Sequence, residues 1–273
     1  MIFAGLGWVA MVSLVRELSA DYSAFQLLFF RNVVAVCLLL PLALKRGAAT
    51  LRTNRLPLHT LRSAFSYCAV LALYFGIATV PLPEATALSF TQPLFGTVLA
   101  VLVLHEVVGL ARWRAVAIGF AGILIILRPG FADVTLGTLA VLGSAILYAC
   151  ANICVKRLMT TDTPQQAVFY FNLIMLPIAL VPALFFWVAP TAGDFALMIG
   201  VGLAGTAAVW GYVKAFDEAD VSAVAPFDFL RLPMASLAAL LLFDDTGDMW
   251  TWIGSAVIFG SALVLARSER KKS

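Results

Sequence analysis

The feature that most constrains this chain is a succession of long apolar runs, each bounded by charged residues, proline or glycine. Apolar residues make up 62% of the 273 positions and charged residues only 12%, against about 25% charged residues in an average soluble domain. The interior of a soluble protein of this size could not hide so much apolar surface, so the chain needs lipid around it. The pattern predicts an all-α membrane protein.

Ten of these runs approach the length of about 20 residues that a helix needs to cross a bilayer. They lie at residues 1–16, 24–44, 59–80, 84–104, 112–128, 135–156, 166–188, 194–214, 221–243 and 250–267. The first run is short, so we expect either a native start further upstream or a short, tilted helix. Because the connections are too short for a soluble domain, any function must lie among the helices.

The basic residues predict how the helices are oriented, since Lys and Arg concentrate in cytoplasmic loops. With the N-terminus inside, fourteen basic residues fall on the cytoplasmic side and only Arg16 and Arg128 fall outside. This bias predicts a multi-pass protein of the cell (inner) membrane with both termini in the cytoplasm. The basic tail at 268–273 then lies in the cytoplasm as well.

The two halves of the chain align without gaps at an offset of 138 residues, which places Tyr74 on Tyr212 and Gly122 on Gly260. Five helices in each half is an odd number, so the second half enters the membrane upside down. Inverted repeats of this kind place a substrate site near the midplane and alternate its access by rocking. We therefore predict two five-helix repeats, at 1–130 and 135–267, around a central cavity.

Four stretches resemble the drug/metabolite transporter superfamily in its EamA-type branch, namely Phe29–Asn32, Pro83–Phe95, Gly119–Gly130 and Ala225–Pro233. The last of these is most similar to the subgroup of S-adenosylmethionine uptake transporters. The resemblance covers essentially the whole chain and implies ten helices around a central cavity with both termini in the cytoplasm. Relatives in this branch move amino acids, amines, nucleotide-like metabolites and vitamins.

Charged side chains inside the membrane are costly, and those that remain usually face a cavity or a partner. Arg31 lies about two turns into the second helix and could clamp a substrate carboxylate through two hydrogen bonds. The alternative is a structural anchor that pairs with backbone carbonyls or with an acidic neighbour.

Asp228 and Arg231 are three residues apart on one face of the ninth helix, between Pro226 and Pro233. Proline frees backbone carbonyls and kinks a helix, and such polar backbone is tolerated only inside protein or beside a cavity. The two charges could grip a zwitterion, or they could simply satisfy each other. Because Arg231 favours the ionised carboxylate, Asp228 is a poor proton carrier near neutral pH.

Further polar and aromatic residues are candidates for the same cavity. Glu84, in the first turn of the fourth helix, either complements the helix dipole or serves as a gate or proton-coupling carboxylate. Five polar residues could line the cavity or form hydrogen bonds between helices: Asn32, Gln92, Tyr148, Asn152 and Asn172. Trp210 and Phe227 could stack on a planar or cationic substrate, or simply pack.

Several functions are excluded by what the sequence lacks. No His, Cys and carboxylate cluster has the spacing of a metal site, and Cys37, Cys68, Cys150 and Cys154 suit packing. Without a phosphate-binding glycine loop, ATP does not drive the protein directly, and no basic stretch interleaved with aromatics suggests nucleic acid. We predict a secondary transporter, monomeric or homodimeric and without a cofactor, for a small polar metabolite such as an amino acid, an amine or an S-adenosylmethionine-like solute. The alternatives are a membrane scaffold or sensor and, more remotely, an intramembrane enzyme.

Overall fold

The computed structural model describes residues 2–45, 53–105, 109–128, 134–218, 231–244 and 248–270, and every regular element in these ranges is an α-helix. The helices are α1 (Ile2–Leu18), α2 (Ala24–Lys45), α3 (Leu56–Thr79), α4 (Leu82–Ser89), α5 (Gln92–Leu104), α6 (Leu110–Leu127), α7 (Leu136–Leu158), α8 (Pro164–Phe185), α9 (Ala192–Glu218), α10 (Arg231–Phe243) and α11 (Met249–Arg270). The prediction of an all-α protein is confirmed. The first part of the predicted ninth helix, up to residue 230, lies outside the described residues.

Within the described ranges, six segments are long and apolar enough to cross a membrane: Ala24–Pro41, Leu56–Thr79, Leu82–Leu104, Leu136–Leu158, Gln166–Phe185 and Ala192–Gly211. Two shorter apolar helices, Trp113–Leu127 and Arg231–Phe243, accompany them. Many large apolar side chains are exposed, and Phe185 and Leu136 are the extremes at 81% and 76%. Such a surface suits lipid, as expected for a protein that crosses the membrane several times. Below, the predicted outer face is the one at which α1 ends and α2 begins.

The predicted helix over 84–104 is in fact two helices, because α4 and α5 are separated by Phe90 and Thr91. The amide of Phe90 donates to the carbonyl of Ala87 at 3.2 Å, and that of Thr91 donates to Leu88 at 3.0 Å. Bonds that reach back three residues form a tight 3₁₀ turn. Pro93, which has no N–H to continue the helical pattern, lies two residues after Thr91 in the first turn of α5. The predicted span over 84–104 is confirmed as the apolar segment Leu82–Leu104, but its helix is interrupted at this turn.

The helices pack in pairs that recur under the 138-residue offset. This offset relates α1 to α7, α2 to α8, α3 to α9, α5 to α10 and α6 to α11. The contact of α3 with α7 then corresponds to that of α9 with α1, and the contact of α2 with α9 to that of α8 with α3. Likewise, the contact of α5 with α7 corresponds to that of α10 with α1. In the α2–α8 and α6–α11 contacts the offset simply exchanges the two helices of the pair. The described packing thus has the pattern expected of two similar halves.

The contact between α6 and α11 brings two backbones together at glycine. A methyl group on Gly122 would lie 2.9 Å from the carbonyl oxygen of Gly254, and one on Gly254 would lie 2.7 Å from that of Gly122. Gly260, which aligns with Gly122 at the 138-residue offset, has open space where a methyl group would lie. The repeat therefore relates Gly122 to Gly260, but the residue that Gly122 touches lies almost two turns earlier in α11.

Candidate substrate site

Four helices converge on the guanidinium of Arg31. This half-buried side chain of α2 lies beside the hydroxyls of Tyr74, on α3, and Tyr148, on α7. Gly205, on α9, leaves room for it, because a methyl group there would lie 3.3 Å from Nε of Arg31. The predicted residues Arg31 and Tyr148 are thus brought together, and Tyr74 joins them.

Among the described residues, the side chains that lie beside the Arg31 guanidinium are neutral phenols. The ion pairs that described residues form with one another are His59–Asp162 and Arg128–Asp248, and neither includes Arg31. An arginine side chain stays charged at every physiological pH and presents a planar fork of donors that matches a carboxylate. A positive charge that is held among neutral groups at low dielectric attracts an incoming anion strongly. The arrangement can therefore bind the anionic group of a small solute.

Arg231 lies between two aromatic rings. Its guanidinium carbon is 5.0 Å from the ring centroid of Trp8, on α1, and 4.9 Å from that of Phe90, at the α4–α5 junction. Both distances are within the range of a cation–π interaction. Gly5, one turn before Trp8, makes room for this arrangement, since a methyl group there would lie 3.2 Å from Cγ of Arg231.

The other predicted site residues have different surroundings. Phe227 and Asp228 lie outside the described residues. Asn32 and Asn172 are buried, and each amide donates within its own helix at 2.9 Å, to the carbonyls of Leu28 and Val168. One hydrogen bond of each amide is therefore satisfied within its own helix.

Three further candidates are more accessible. Gln92 is half-buried in the first turn of α5, whereas Asn152 is exposed on α7. The side chain of Trp210, on α9, is 58% exposed. Their roles at the substrate site remain predictions.

Glu84 connects the beginnings of two helices at the predicted outer face. It lies in the first turn of α4 and accepts a hydrogen bond of 3.1 Å from the hydroxyl of Thr138, in the first turn of α7. The Thr138 amide donates to the side chain of Thr135, the N-cap of α7. A carboxylate between two helix N-termini is stabilised by both helix dipoles. This position fits the dipole interpretation and also places Glu84 where α4 could separate from α7.

A polar cluster at the predicted inner face was missed by sequence reasoning. Nε2 of His59, at the start of α3, lies 2.8 Å from Oδ2 of Asp162, in the α7–α8 connection. The Thr53 hydroxyl donates to the same oxygen at 2.6 Å, and the His59 ring lies 4.8 Å from the ring of Tyr170. His59 is fully buried. The only sequence signal was a lone histidine near a helix start, and its partner is 103 residues away.

A second polar cluster lies at the predicted outer face. The Tyr22 hydroxyl, in the α1–α2 connection, donates at 2.8 Å to Oδ2 of Asp194, in the first turn of α9. The hydrogen bond to this carboxylate raises the pKa of Tyr22, so the phenol remains protonated. Nearby, the Gln26 side chain donates to the carbonyl of Val188 at 2.7 Å and accepts from its amide at 3.0 Å.

The two clusters are related by the repeat. The inner cluster joins the start of α3 to the α7–α8 connection, and the outer cluster joins the start of α9 to the α1–α2 connection. The offset exchanges α3 with α9 and α1 with α7, so it converts one contact into the other. Each contact includes one aspartate, but the aspartate lies in the connection at the inner face and on the helix at the outer face.

The inner cluster makes stability depend on pH. Burial raises the pKa of the Asp162 carboxyl, but hydrogen bonds from Thr53 and His59 outweigh this and leave the pKa below its ordinary value of 3.8. A carboxyl with a lowered pKa stabilises the fold above its unfolded-state pKa, and this contribution is lost as pH falls through the folded-state value. As pH falls from about 5 to about 3, we expect the unfolding temperature of the detergent-purified protein to decrease less in Asp162→Asn than in wild type. The exposed Asp21→Asn should behave like wild type, and an unchanged pH dependence in Asp162→Asn would contradict the assignment.

Comparison with known proteins identifies the family. The sequence profile of the EamA-like transporter family matches residues 1–128 and 135–267. The chain belongs to the EamA-like transporter family. The resemblance found in the sequence is confirmed, and EamA-like proteins are transporters and not enzymes. Together with the apolar helices, membership makes the chain a multi-pass membrane protein.

Known transporters align with nearly the whole of this EamA-like chain. An S-adenosylmethionine uptake transporter of Rickettsia bellii is 29% identical and covers 98% of this chain and 94% of its own length. A riboflavin transporter of Vibrio cholerae is 33% identical, with coverages of 100% and 93%. The pseudopaline exporter CntI of Pseudomonas aeruginosa is 23% identical, with coverages of 98% and 95%. These names support a transporter for a small metabolite.

The fold also occurs among solved structures. One crystal structure, described only as that of a protein, superimposes with a TM-score of 0.65 and covers 98% of this chain and 97% of its own. The two sequences are 17% identical, so the match shows the fold alone.

Proposed function

We propose that this protein is a secondary transporter that moves a small polar metabolite, such as an amino acid, an amine or an S-adenosylmethionine-like solute, by alternating access. The observation that carries the proposal is Arg31, a membrane-embedded arginine beside Tyr74 and Tyr148 and outside the ion pairs formed among described residues. An intramembrane charge of this kind normally belongs to a substrate or ion pathway. A solute carboxylate would complete its coordination.

The depth of the charged residues supports a site near the midplane. At about 1.5 Å per residue, Arg31 lies about 10 Å along α2 from the predicted outer face, and Phe90 lies about 12 Å along α4. Arg231 lies about 18 Å from the end of α10 at the same face. In a hydrocarbon layer of about 30 Å, all three are in or near the middle third.

Inverted halves explain how such a site would open to either side. The recurring helix pairs and the two exchanged polar clusters at opposite faces support this architecture. In the proposed cycle the outer cluster opens while the inner one stays closed, and then the reverse. We place the inner cluster and both termini at the cytoplasmic side of the inner membrane, in accordance with the basic residues.

Cross-linking tests the two clusters as alternating closures. In a background without the four native cysteines, Tyr22→Cys/Asp194→Cys and His59→Cys/Asp162→Cys receive a short bifunctional thiol reagent. We expect either cross-link to abolish transport, because each prevents one face from opening. Each single-cysteine variant, treated identically, is the matched control and should keep the transport rate it has without reagent. Full transport in either cross-linked protein would contradict the assignment of that cluster.

Uptake into liposomes tests the function itself. The purified protein is reconstituted and offered radiolabelled S-adenosylmethionine, amino acids, polyamines and riboflavin. We expect saturable uptake of at least one solute that carries a carboxylate, and thermal stabilisation of the detergent-purified protein by the same solute. If a folded protein neither binds nor moves any solute of the panel, a scaffold or sensor becomes the better explanation.

A further inference from the structure

We propose that Trp8 and Phe90 form a seat for the cationic group of the transported solute, and that Arg231 occupies this seat until the solute displaces it. This inference rests on the proposed transport function and specifies its substrate class. The seat has two aromatic walls on separate elements, α1 and the α4–α5 junction, with the guanidinium carbon of Arg231 5.0 Å and 4.9 Å from the two ring centroids.

The chemistry of the seat selects a cation. An aromatic face attracts positive charge through its quadrupole, tryptophan most strongly, and the attraction grows when both groups are removed from water. Phe90 is only 7% exposed and Trp8 is half-buried, so the seat is largely desolvated. An amine, a quaternary ammonium or a sulfonium could replace the guanidinium with little loss of interaction at the rings.

The exchange accounts for both charges of a zwitterion. When a solute cation enters the seat, the guanidinium of Arg231 is released beside it and can pair with the solute's anionic group. A second anion-binding group is close, since Met11 lies one turn after Trp8 on α1. Its Sδ is 3.0 Å from the position that a methyl group on Gly205 would take, and Nε of Arg31 is 3.3 Å from the same position. Trp8 and Met11 are about one helical turn, or 5 Å, apart along α1, so Arg31 lies near the turn of α1 that follows Trp8.

The position of Phe90 makes the seat adjustable. Phe90 belongs to the 3₁₀ turn between α4 and α5, and such turns inside a helix often mark hinges. A change of angle between the two helices would move this ring relative to Trp8. Occupation of the seat is thereby linked to the arrangement of α4 and α5. The substrate class that follows is a small zwitterion with a carboxylate and an amine, ammonium or sulfonium group.

Two adenosyl compounds test the seat directly. S-adenosylmethionine has a sulfonium, whereas S-adenosylhomocysteine has an uncharged thioether and otherwise lacks only one methyl group. Measured by calorimetry on the detergent-purified full chain, wild type should bind the sulfonium at least about tenfold more tightly. Trp8→Leu should remove this preference and retain the binding of the thioether. The matched control is Trp250→Leu, which removes a ring that contacts Arg128 at the predicted outer face and should leave the preference unchanged.

A second variant tests the displacement of Arg231. Arg231→Gln removes the competing cation, so binding of tetramethylammonium, a cation without an anionic group, should become several-fold tighter. Arg231→Lys keeps a competing cation and should resemble wild type. A merely structural Arg231 predicts no such gain. If Trp8→Leu does not fold, Trp8→Tyr replaces it in the test. This second variant keeps an aromatic face, so it should retain part of the preference for the sulfonium. Its result is then read together with tetramethylammonium binding by Arg231→Gln.

The results separate the two proposals. A preference that survives in Trp8→Leu, or tetramethylammonium binding that does not improve in Arg231→Gln, overturns the seat and leaves the transporter intact. Equal binding of the two adenosyl compounds by wild type overturns the seat as well. If wild type neither binds these compounds nor moves any solute of the transport panel, the proposed function fails together with the seat.

Discussion

Replacing Arg31 with glutamine should weaken the binding of a carboxylate-bearing solute by about two to three orders of magnitude without lowering the thermal stability of the protein. Loss of one partner from a buried charge pair costs about 2–5 kcal/mol or more, which corresponds to this range. The empty protein gains from the change, because a guanidinium held among neutral groups is costly to bury and an amide is less so. Calorimetry and thermal unfolding in detergent measure the two effects separately.

Three controls accompany Arg31→Gln. Arg31→Lys keeps the charge but loses the planar fork, so we expect intermediate binding. Tyr148→Phe removes one neutral neighbour and should cost about tenfold or less. Arg128→Gln, whose partner Asp248 lies at the predicted outer face, should leave solute binding unchanged. If Arg31→Gln binds solute normally but unfolds at a lower temperature, Arg31 is the structural anchor that the sequence also allowed.

The second large effect is expected at the α6–α11 contact, where Gly254→Ala should destabilise the protein by about 3 kcal/mol. The added methyl group would lie 2.7 Å from the carbonyl oxygen of Gly122, and a backbone oxygen cannot move aside as a flexible side chain can. Overpacking typically costs about 1–3 kcal/mol, and a contact between two backbones belongs at the upper end of that range. Denaturant titration of the detergent-purified protein would measure the change.

Gly260→Ala provides the matched control, because it is the same substitution in the same helix. Apart from the neighbouring backbone of its own helix, nothing lies within 4 Å of the methyl group that it adds. Alanine is favoured over glycine in a helix by about 1 kcal/mol, so this variant should be equal to or slightly more stable than wild type. Equal destabilisation by the two variants would show that the loss of helical glycine, and not the contact with Gly122, is responsible.

The helices could be predicted because a chain in lipid must satisfy its backbone hydrogen bonds within each segment. Apolar length and boundary residues then suffice to locate most of them. The division at Phe90 could not be located in the same way, since Pro93 indicates a disturbance but leaves its position open. Likewise, the sequence repeat related Gly122 to Gly260, whereas the contact with Gly254 depends on the angle at which α6 and α11 cross.

The site could be predicted residue by residue, but its internal contacts could not. Arg31 and Tyr148 stand out as polar residues in apolar runs, yet the runs are apolar on every face and give no signal of which sides meet. His59, at the start of α3, and Asp162, in the α7–α8 connection, are 103 positions apart, and no local pattern relates them. The sequence left open whether Asp228 and Arg231 pair with each other or bind a solute, and Asp228 lies outside the described residues. The ring contacts of Arg231 with Trp8 and Phe90 come from other elements, and no sequence pattern indicated them.

The permanent charge of Arg31 also has an electrical consequence. Because arginine does not lose its proton, the empty carrier keeps a fixed positive charge near mid-membrane during its return step. Moving one elementary charge across a potential of 100 mV changes its free energy by about 2.3 kcal/mol. A charge that crosses only part of the field changes in proportion. An interior-negative potential therefore favours the conformation in which water connects this charge to the cytoplasm. A bound zwitterion adds no net charge, so voltage should act on the loaded carrier as well as on the empty one.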